Sequence, residues 1–252
     1  MTQFKIPRFV IVLFCLGLFL GGCQPLQPIS TTASDAAGVP IEEALKSTSE
    51  VLFERTTELV SNQVHVKVRH VTFAVGYKTA EHTHAGPGAR YVHKGEVEVS
   101  EAGEVQIFRA GEVFWETGAP MTAENVGDGE AEVIIVELLP VEGDNASTDA
   151  ALQPTSPDVL FETIAELASN QVYVKVRHIT LPVGYKTAEH THAGPGPRYV
   201  LNGEVEISEN GEVGPFQAGQ IFWESGSLMT AENIDGSASE VIAFELLPPV
   251  AE

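Results

Sequence analysis

The chain is poor in cysteine, poor in basic residues and nearly free of long apolar runs, and each shortage narrows what it can be. Only Cys15 and Cys23 occur in 252 residues, and Cys15 lies inside the apolar run from Phe9 to Leu20. Beyond Cys23 there is no thiol, which excludes disulfide staples, thiolate nucleophiles and thiolate metal ligands there. Lysine and arginine number 14 against 35 acidic residues, giving a formal charge of −21; removing residues 1–22 deletes Lys5 and Arg8 and no acid, so −21 becomes −23. A field of that sign repels phosphate backbones and argues against a nucleic-acid partner. The acidity reads as solubility at a cell surface. No Ser-His-Asp arrangement, phosphate-binding glycine loop or dinucleotide fingerprint is found, so hydrolase and nucleotide chemistry have no support.

The one long apolar run follows Lys5 and Arg8 and ends in Leu20-Gly21-Gly22-Cys23. It is shorter than the roughly 20 residues of a membrane span. A basic start, an apolar core and small residues at the cut describe a secretory signal. The last four residues resemble a bacterial lipobox, which implies cleavage before Cys23 and lipid on that cysteine. The expected protein is therefore extracytoplasmic, at the periplasmic face or cell surface, and touches the membrane through its lipid anchor alone. Gln24 stands where an aspartate would resemble an inner-membrane retention signal. Residues 23–48 read as a flexible tether. Within it, Pro40 followed by Ile41-Glu42-Glu43-Ala44-Leu45-Lys46 predicts one or two helical turns. Residues 143–157 read as a second polar linker.

The rest is a duplication. Val51-Leu52-Phe53-Glu54 returns as Val159-Leu160-Phe161-Glu162, and the segment Gly76 to Gly88 returns unchanged as Gly184 to Gly196. The offset is 159 − 51 = 108 throughout, without a gap as far as Pro140. A period of this length means two whole domains, expected at 49–142 and 158–252, not solenoid units. Each copy reads as short strands. Val64-His65-Val66-Lys67-Val68-Arg69 and Glu96-Val97-Glu98-Val99 alternate apolar and polar residues, with Lys94-Gly95 and Ala102-Gly103 as turns. The predicted fold is all-β, an antiparallel sandwich or jelly roll in each copy.

Gly76-x5-His82-x-His84 followed by Tyr91-Val92-His93-Lys94-Gly95 resembles the first cupin motif. Gly111-Glu112-Val113-Phe114-Trp115, Gly118-Ala119-Pro120-Met121 and Asn125-Val126-Gly127-Asp128 resemble the second. The resemblance implies two tandem jelly-roll barrels, as in bicupins, each holding a metal or a small ligand inside. It also implies a glutamate at the position of Gly88 and Gly196, and a third histidine at that of Met121 and Met229. Those two ligands are missing from the set.

Independently of the name, two histidines spaced i, i+2 on a strand project to one face. His82 with His84, and His190 with His192, are thus candidate metal ligands through ring nitrogens. Fe, Mn, Ni, Zn and Cu are all candidates. Apart from the initiator, Met121 and Met229 are the only methionines. His-His-Met suits copper, because thioether is soft; alternatively Met is apolar filler. If Gly88 faces inward, period two turns Arg90 inward too, and Arg198 in the other copy. Each is either an anchor for an anionic small molecule or a structural partner of an internal glutamate such as Glu116 or Glu224. Glu81, Glu124, Glu189 and Glu232 are further acids near the motifs. His70 and His178 read as wall residues, and Trp115 and Trp223 as core.

Two function classes follow. The missing ligands favour a non-catalytic binding module for a small, anionic ligand. The paired His-x-His favours a metal-dependent enzyme of the oxygenase, isomerase or decarboxylase kind. A third class, a purely structural surface module, rests on the acidic charge alone.

Overall fold

The computed structural model describes residues 46–141 and 158–249. The expected signal peptide, Cys23, the helical turns of the tether and the linker 143–157 lie outside the described residues, apart from Lys46. Among those described, regular structure consists of sixteen strands. The first repeat supplies β1 (Thr48–Glu58), β2 (Gln63–Phe73), β3 (Gly88–Lys94), β4 (Glu96–Glu101), β5 (Glu104–Arg109), β6 (Val113–Glu116), β7 (Met121–Asn125) and β8 (Ala131–Pro140). The second supplies β9 (Asp158–Glu166), β10 (Gln171–Leu181), β11 (Gly196–Asn202), β12 (Glu204–Glu209), β13 (Glu212–Gln217), β14 (Ile221–Glu224), β15 (Met229–Asn233) and β16 (Ser239–Leu247). They form two jelly-roll barrels, each from a five-stranded and a three-stranded sheet. The orders are β6-β3-β8-β2-β9 with β5-β4-β7, and β1-β10-β16-β11-β14 with β13-β12-β15.

Side-chain alternation shows what each face of the large sheet does. Val64, Val66 and Val68 on β2, and Ile134, Val136 and Leu138 on β8, pack into a core that also contains Val172, Val174, Val176, Ile242 and Phe244 of the second repeat. The alternate residues Val71, Phe73, Val133 and Ile135 fill the first barrel. Both faces are therefore dry, which is why Val133-Ile134-Ile135-Val136 shows no alternation in the sequence. On the three-stranded side, the β4–β5 hairpin turns at Ala102-Gly103, with φ of 51° and 85°. Both residues are left-handed, as a two-residue turn between twisted strands requires. The second repeat places Asn210-Gly211 there, a better fit to the same backbone.

The first strand of each repeat pairs with the other repeat. β1 lies antiparallel on β10 from Thr48↔Thr180 to Glu58↔Gln171, and β9 lies on β2 from Gln63↔Glu166 to His70↔Asp158. The exchange continues past the strands. Leu59 N–H donates to Asn170 O and Leu167 N–H to Asn62 O, both at 2.8 Å. Phe53 on β1 stacks on Trp115 with ring centroids 6.0 Å apart, and Phe161 stacks on Trp223 at 5.8 Å. The repeat seen in the sequence is thus not the hydrogen-bonded unit, since each large sheet is completed by its neighbour.

Candidate functional site

Inside the first barrel the charged groups meet as a chain. β2 carries Arg69, β3 Arg90, β6 Glu116 and β8 Glu137, and the segment between β2 and β3 carries His82 and His84. That segment is not a strand. It is held by a bridge in which His82 N–H donates to Met121 O at 3.0 Å and Met121 N–H to His82 O at 2.8 Å. The bridge turns both imidazoles inward, with ring centroids 5.0 Å apart. His84 Nε2 lies 3.1 Å from Glu116 Oε2 and its Nδ1 3.2 Å from Glu137 Oε1. Arg90 Nη2 lies 2.6 Å from Glu116 Oε2, and Arg69 Nη2 lies 3.0 Å from Glu137 Oε1.

Every member of this chain is buried, so its charges depend on one another. Burial acts to raise the Glu137 pKa. The hydrogen bond from His84 and the charges of Arg90 and Arg69 overcome it and bring the value down to about 2. His82 stands apart. Its Nδ1–H donates to Ala80 O at 2.9 Å, which fixes the tautomer and leaves Nε2 its lone pair. Met121 is 2% exposed and lines the same interior. The remaining cavity, between these groups and Phe73, Phe114 and Ile135, is about 20 Å³, room for a single water.

The second barrel repeats the parts with looser spacing. Arg198 Nη2 lies 2.5 Å from Glu224 Oε2, and His190 Nδ1–H donates to Ala188 O at 2.9 Å. Met229 again faces its histidine across a bridge. His192 Nε2 is 3.3 Å from Glu224 Oε2, but its Nδ1 is 3.8 Å from Glu245 Oε1, too far for a hydrogen bond. Arg177 Nη1 is 3.7 Å from Glu245 Oε2. The His192 side chain is 21% exposed where that of His84 is 2% exposed. It forms part of the wall of a cleft of about 340 Å³ together with Gly194, Ser225, Ser227 and the Leu167-Ala168-Ser169 turn. Desolvation, with Arg198 and His190 nearby, lowers the His192 pKa against the pull of Glu224 and Glu245.

Arg90 and Arg198 thus point inward, and each is ion-paired to the glutamate named above as its internal partner. Of the other acids near the motifs, Glu124 and Glu232 bond Lys78 and Lys186 outside the barrels, at 2.8 and 2.7 Å. Glu81 and Glu189 are exposed. His70 and His178 sit in the walls against Glu132 and Glu240, at 3.1 and 2.8 Å. Four members of the site escaped the motif reading: Arg69, Glu137, Arg177 and Glu245. The available signal was a charge within an apolar strand, as in Val136-Glu137-Leu138 and Phe244-Glu245-Leu246.

These residues do not fit a hard divalent cation. A Cβ at Gly88 would collide with the Val136 carbonyl and with Arg90 Nη1, so the guanidinium fills the place of a side chain there. It brings a positive charge where the motif would bring a carboxylate. Glu116 and Glu137 are already held by Arg90, Arg69 and His84. Among the described residues, no group of three or more His, Cys, Asp and Glu is arranged to hold a metal ion.

Residues 69–137 match the family model described as the cupin domain. No curated protein sequence matches the chain. Among solved structures, AerE from Microcystis aeruginosa is similar with a TM-score of 0.55 at 15% identity, over 79% of this chain and 99% of that one. The Lactobacillus farciminis oxalate decarboxylase formate complex has a TM-score of 0.56 at 14% identity, over 81% and 87%. A Bacillus subtilis oxalate decarboxylase, described with Mn(II) centres, has 0.53 at 13%, over 81% and 76%. At these identities the likeness is one of fold. Residues 69–137 of the first repeat are thus similar to the cupin domain, within a chain of two jelly-roll barrels whose fold is like that of these solved structures.

Proposed function

We propose that the protein is a lipid-anchored, extracytoplasmic binding module that takes a small anionic ligand at the mouth of its second barrel and needs no resident metal. The observation that carries this reading is the cleft of about 340 Å³ walled in part by His192. Its size suits a small molecule. The equivalent cleft beside the first barrel holds about 60 Å³ and does not reach His84. His192 offers a ring N–H, and Ser225 and Ser227 offer hydroxyls. The anchor and compartment rest on the lipobox-like segment ending at Cys23.

The test is thermal stabilisation of the full chain, in detergent, by a panel of small mono- and dicarboxylates. Stabilisation in the native chain and in His84→Ala, lost in His192→Ala, is expected. Equal stabilisation of all three would remove the second barrel as the site.

The metal-dependent enzyme is the second reading. It is favoured by the tautomer of His82, whose Nδ1–H is taken by Ala80 O and whose ring lines the barrel interior with Met121. Elemental analysis after chelator-free purification separates the two. Near-stoichiometric metal, lost in His82→Ala/His190→Ala, would make the enzyme the better reading.

A further inference from the structure

The two barrels carry the same ionic parts, yet the arginine on the second strand of each repeat is buried in one and partly exposed in the other, where it meets a serine across the exchanged strands. In the first barrel Arg69 is 4% exposed at its side chain and lies 3.0 Å from Glu137. Its counterpart Arg177 is 35% exposed and stands 3.7 Å from Glu245. Ser49, on the strand donated by the first repeat, accepts at its Oγ from Arg177 Nε at 2.8 Å. The residue at the same offset from Arg69 is position 157 (49 + 108), a proline with no hydroxyl. Two other differences between the repeats lie at the same places. Val60 lines the small cleft beside the first barrel, and the smaller Ala168 lines the larger one beside the second. Ile135 stands directly opposite Arg69 across β2 and β8, and the smaller Ala243 stands opposite Arg177 across β10 and β16.

We propose that Arg177 is the carboxylate anchor of the second barrel, and that Ser49 is the positioning residue that keeps it available. This rests on the binding-module reading and names the chemical class of its ligand. A guanidinium gives a carboxylate a two-pronged grip. With Nε taken by Ser49 and Nη1 only loosely opposed to Glu245, that grip is open in Arg177. Arg198, the candidate from the sequence, is buried against Glu224 and has no such freedom. A ligand carboxylate would bind between Arg177 and His192, which share Glu245 as a neighbour at 3.7 and 3.8 Å. In the first barrel the same arginine is consumed by its glutamate, so that barrel takes no carboxylate.

The experiment is calorimetric titration of the full chain in detergent, with malonate as the probe and acetate and succinate beside it. Arg177→Gln is expected to weaken malonate at least tenfold. Arg177→Lys should recover only part of the loss, because an ammonium lacks the fork. Ser49→Ala should weaken binding severalfold and Ser49→Thr should restore it, a recovery that a general loss of fold would not show. Native affinity in Arg177→Gln, with loss in His192→Ala, would overturn the anchor while leaving the binding module standing. No binding of any of the three acids to the native chain would overturn the anchor as well. A panel of uncharged polyols and amides then decides the module on its own.

Discussion

His82 and Met121 face each other across an isolated antiparallel bridge, each giving its amide proton to the other's carbonyl, at 3.0 and 2.8 Å. His190 and Met229 repeat the arrangement at 3.0 and 2.9 Å. The bridge turns a loop into part of the barrel wall, and it places a thioether beside an imidazole whose Nε2 has a free lone pair.

That proximity makes copper the metal to test, and the packing argues for filler instead. Met121 and Met229 are each 2% exposed. Met121→Ala with Met229→Ala is expected to lower stability by about 2–5 kcal/mol per site in chemical denaturation. Cu(I) affinity, read by competition with a chromogenic chelator, should not change. A large fall in that affinity would establish a thioether-containing metal site.

Arg90 is expected to behave as half of a buried pair. Arg90→Met leaves the Glu116 carboxylate without its nearest cation in a dry interior, and should cost about 3–5 kcal/mol. Adding Glu116→Leu should recover most of that, since replacing both ions by apolar groups is often neutral. Urea denaturation of the two single variants and the double variant gives the coupling energy. Additive losses would mean that the pair is not coupled.

Glu137 sets an acid limit. Its carboxyl is held at about 2 in the folded chain against an ordinary 4.5. A depressed carboxyl stabilises the fold fully above its unfolded pKa, and the contribution drains away as pH falls through the folded one. A difference of 4.5 − 2 = 2.5 pH units corresponds to about 3 kcal/mol. Stability should therefore drop between pH 4.5 and 2, and Glu137→Gln should flatten that limb. An unchanged limb in the variant would place the acid sensitivity elsewhere.

Because β1 and β9 are exchanged, the two barrels should unfold together. Calorimetry is expected to show one transition, and Phe53→Ala should shift the whole of it downward by about 2 kcal/mol through loss of the Trp115 stack. Two resolved transitions, with only one moved by the substitution, would mean that the shared core is not cooperative.

Much of this was readable in the chain. Alternation in Val64 to Arg69 marks a strand with two unlike faces, and a repeat at 108 residues marks two like barrels. Gly88 in place of an acid marks an altered interior. These are local signals, carried by neighbours in sequence, and backbone geometry alone converts them into faces and turns. The inward direction of Arg90 followed from the same period of two, but its partner did not. Glu116 comes from another strand, and several acids stood equally near the motifs.

The sequence by itself determined the strand content, the duplication, the all-β class and the residue types available to the interior. Only the tertiary structure decided which groups meet. Arg69 and Glu137 are 68 residues apart and pair because β2 and β8 are neighbours in register. Nor does the sequence choose the exchange of β1 and β9. Val-Leu-Phe-Glu opens both repeats, so nothing local separates pairing within a repeat from pairing across. The choice belongs to the shared core, where packing sums over both repeats at once. From that choice comes the contact of Ser49 with Arg177, between residues 128 apart in the chain.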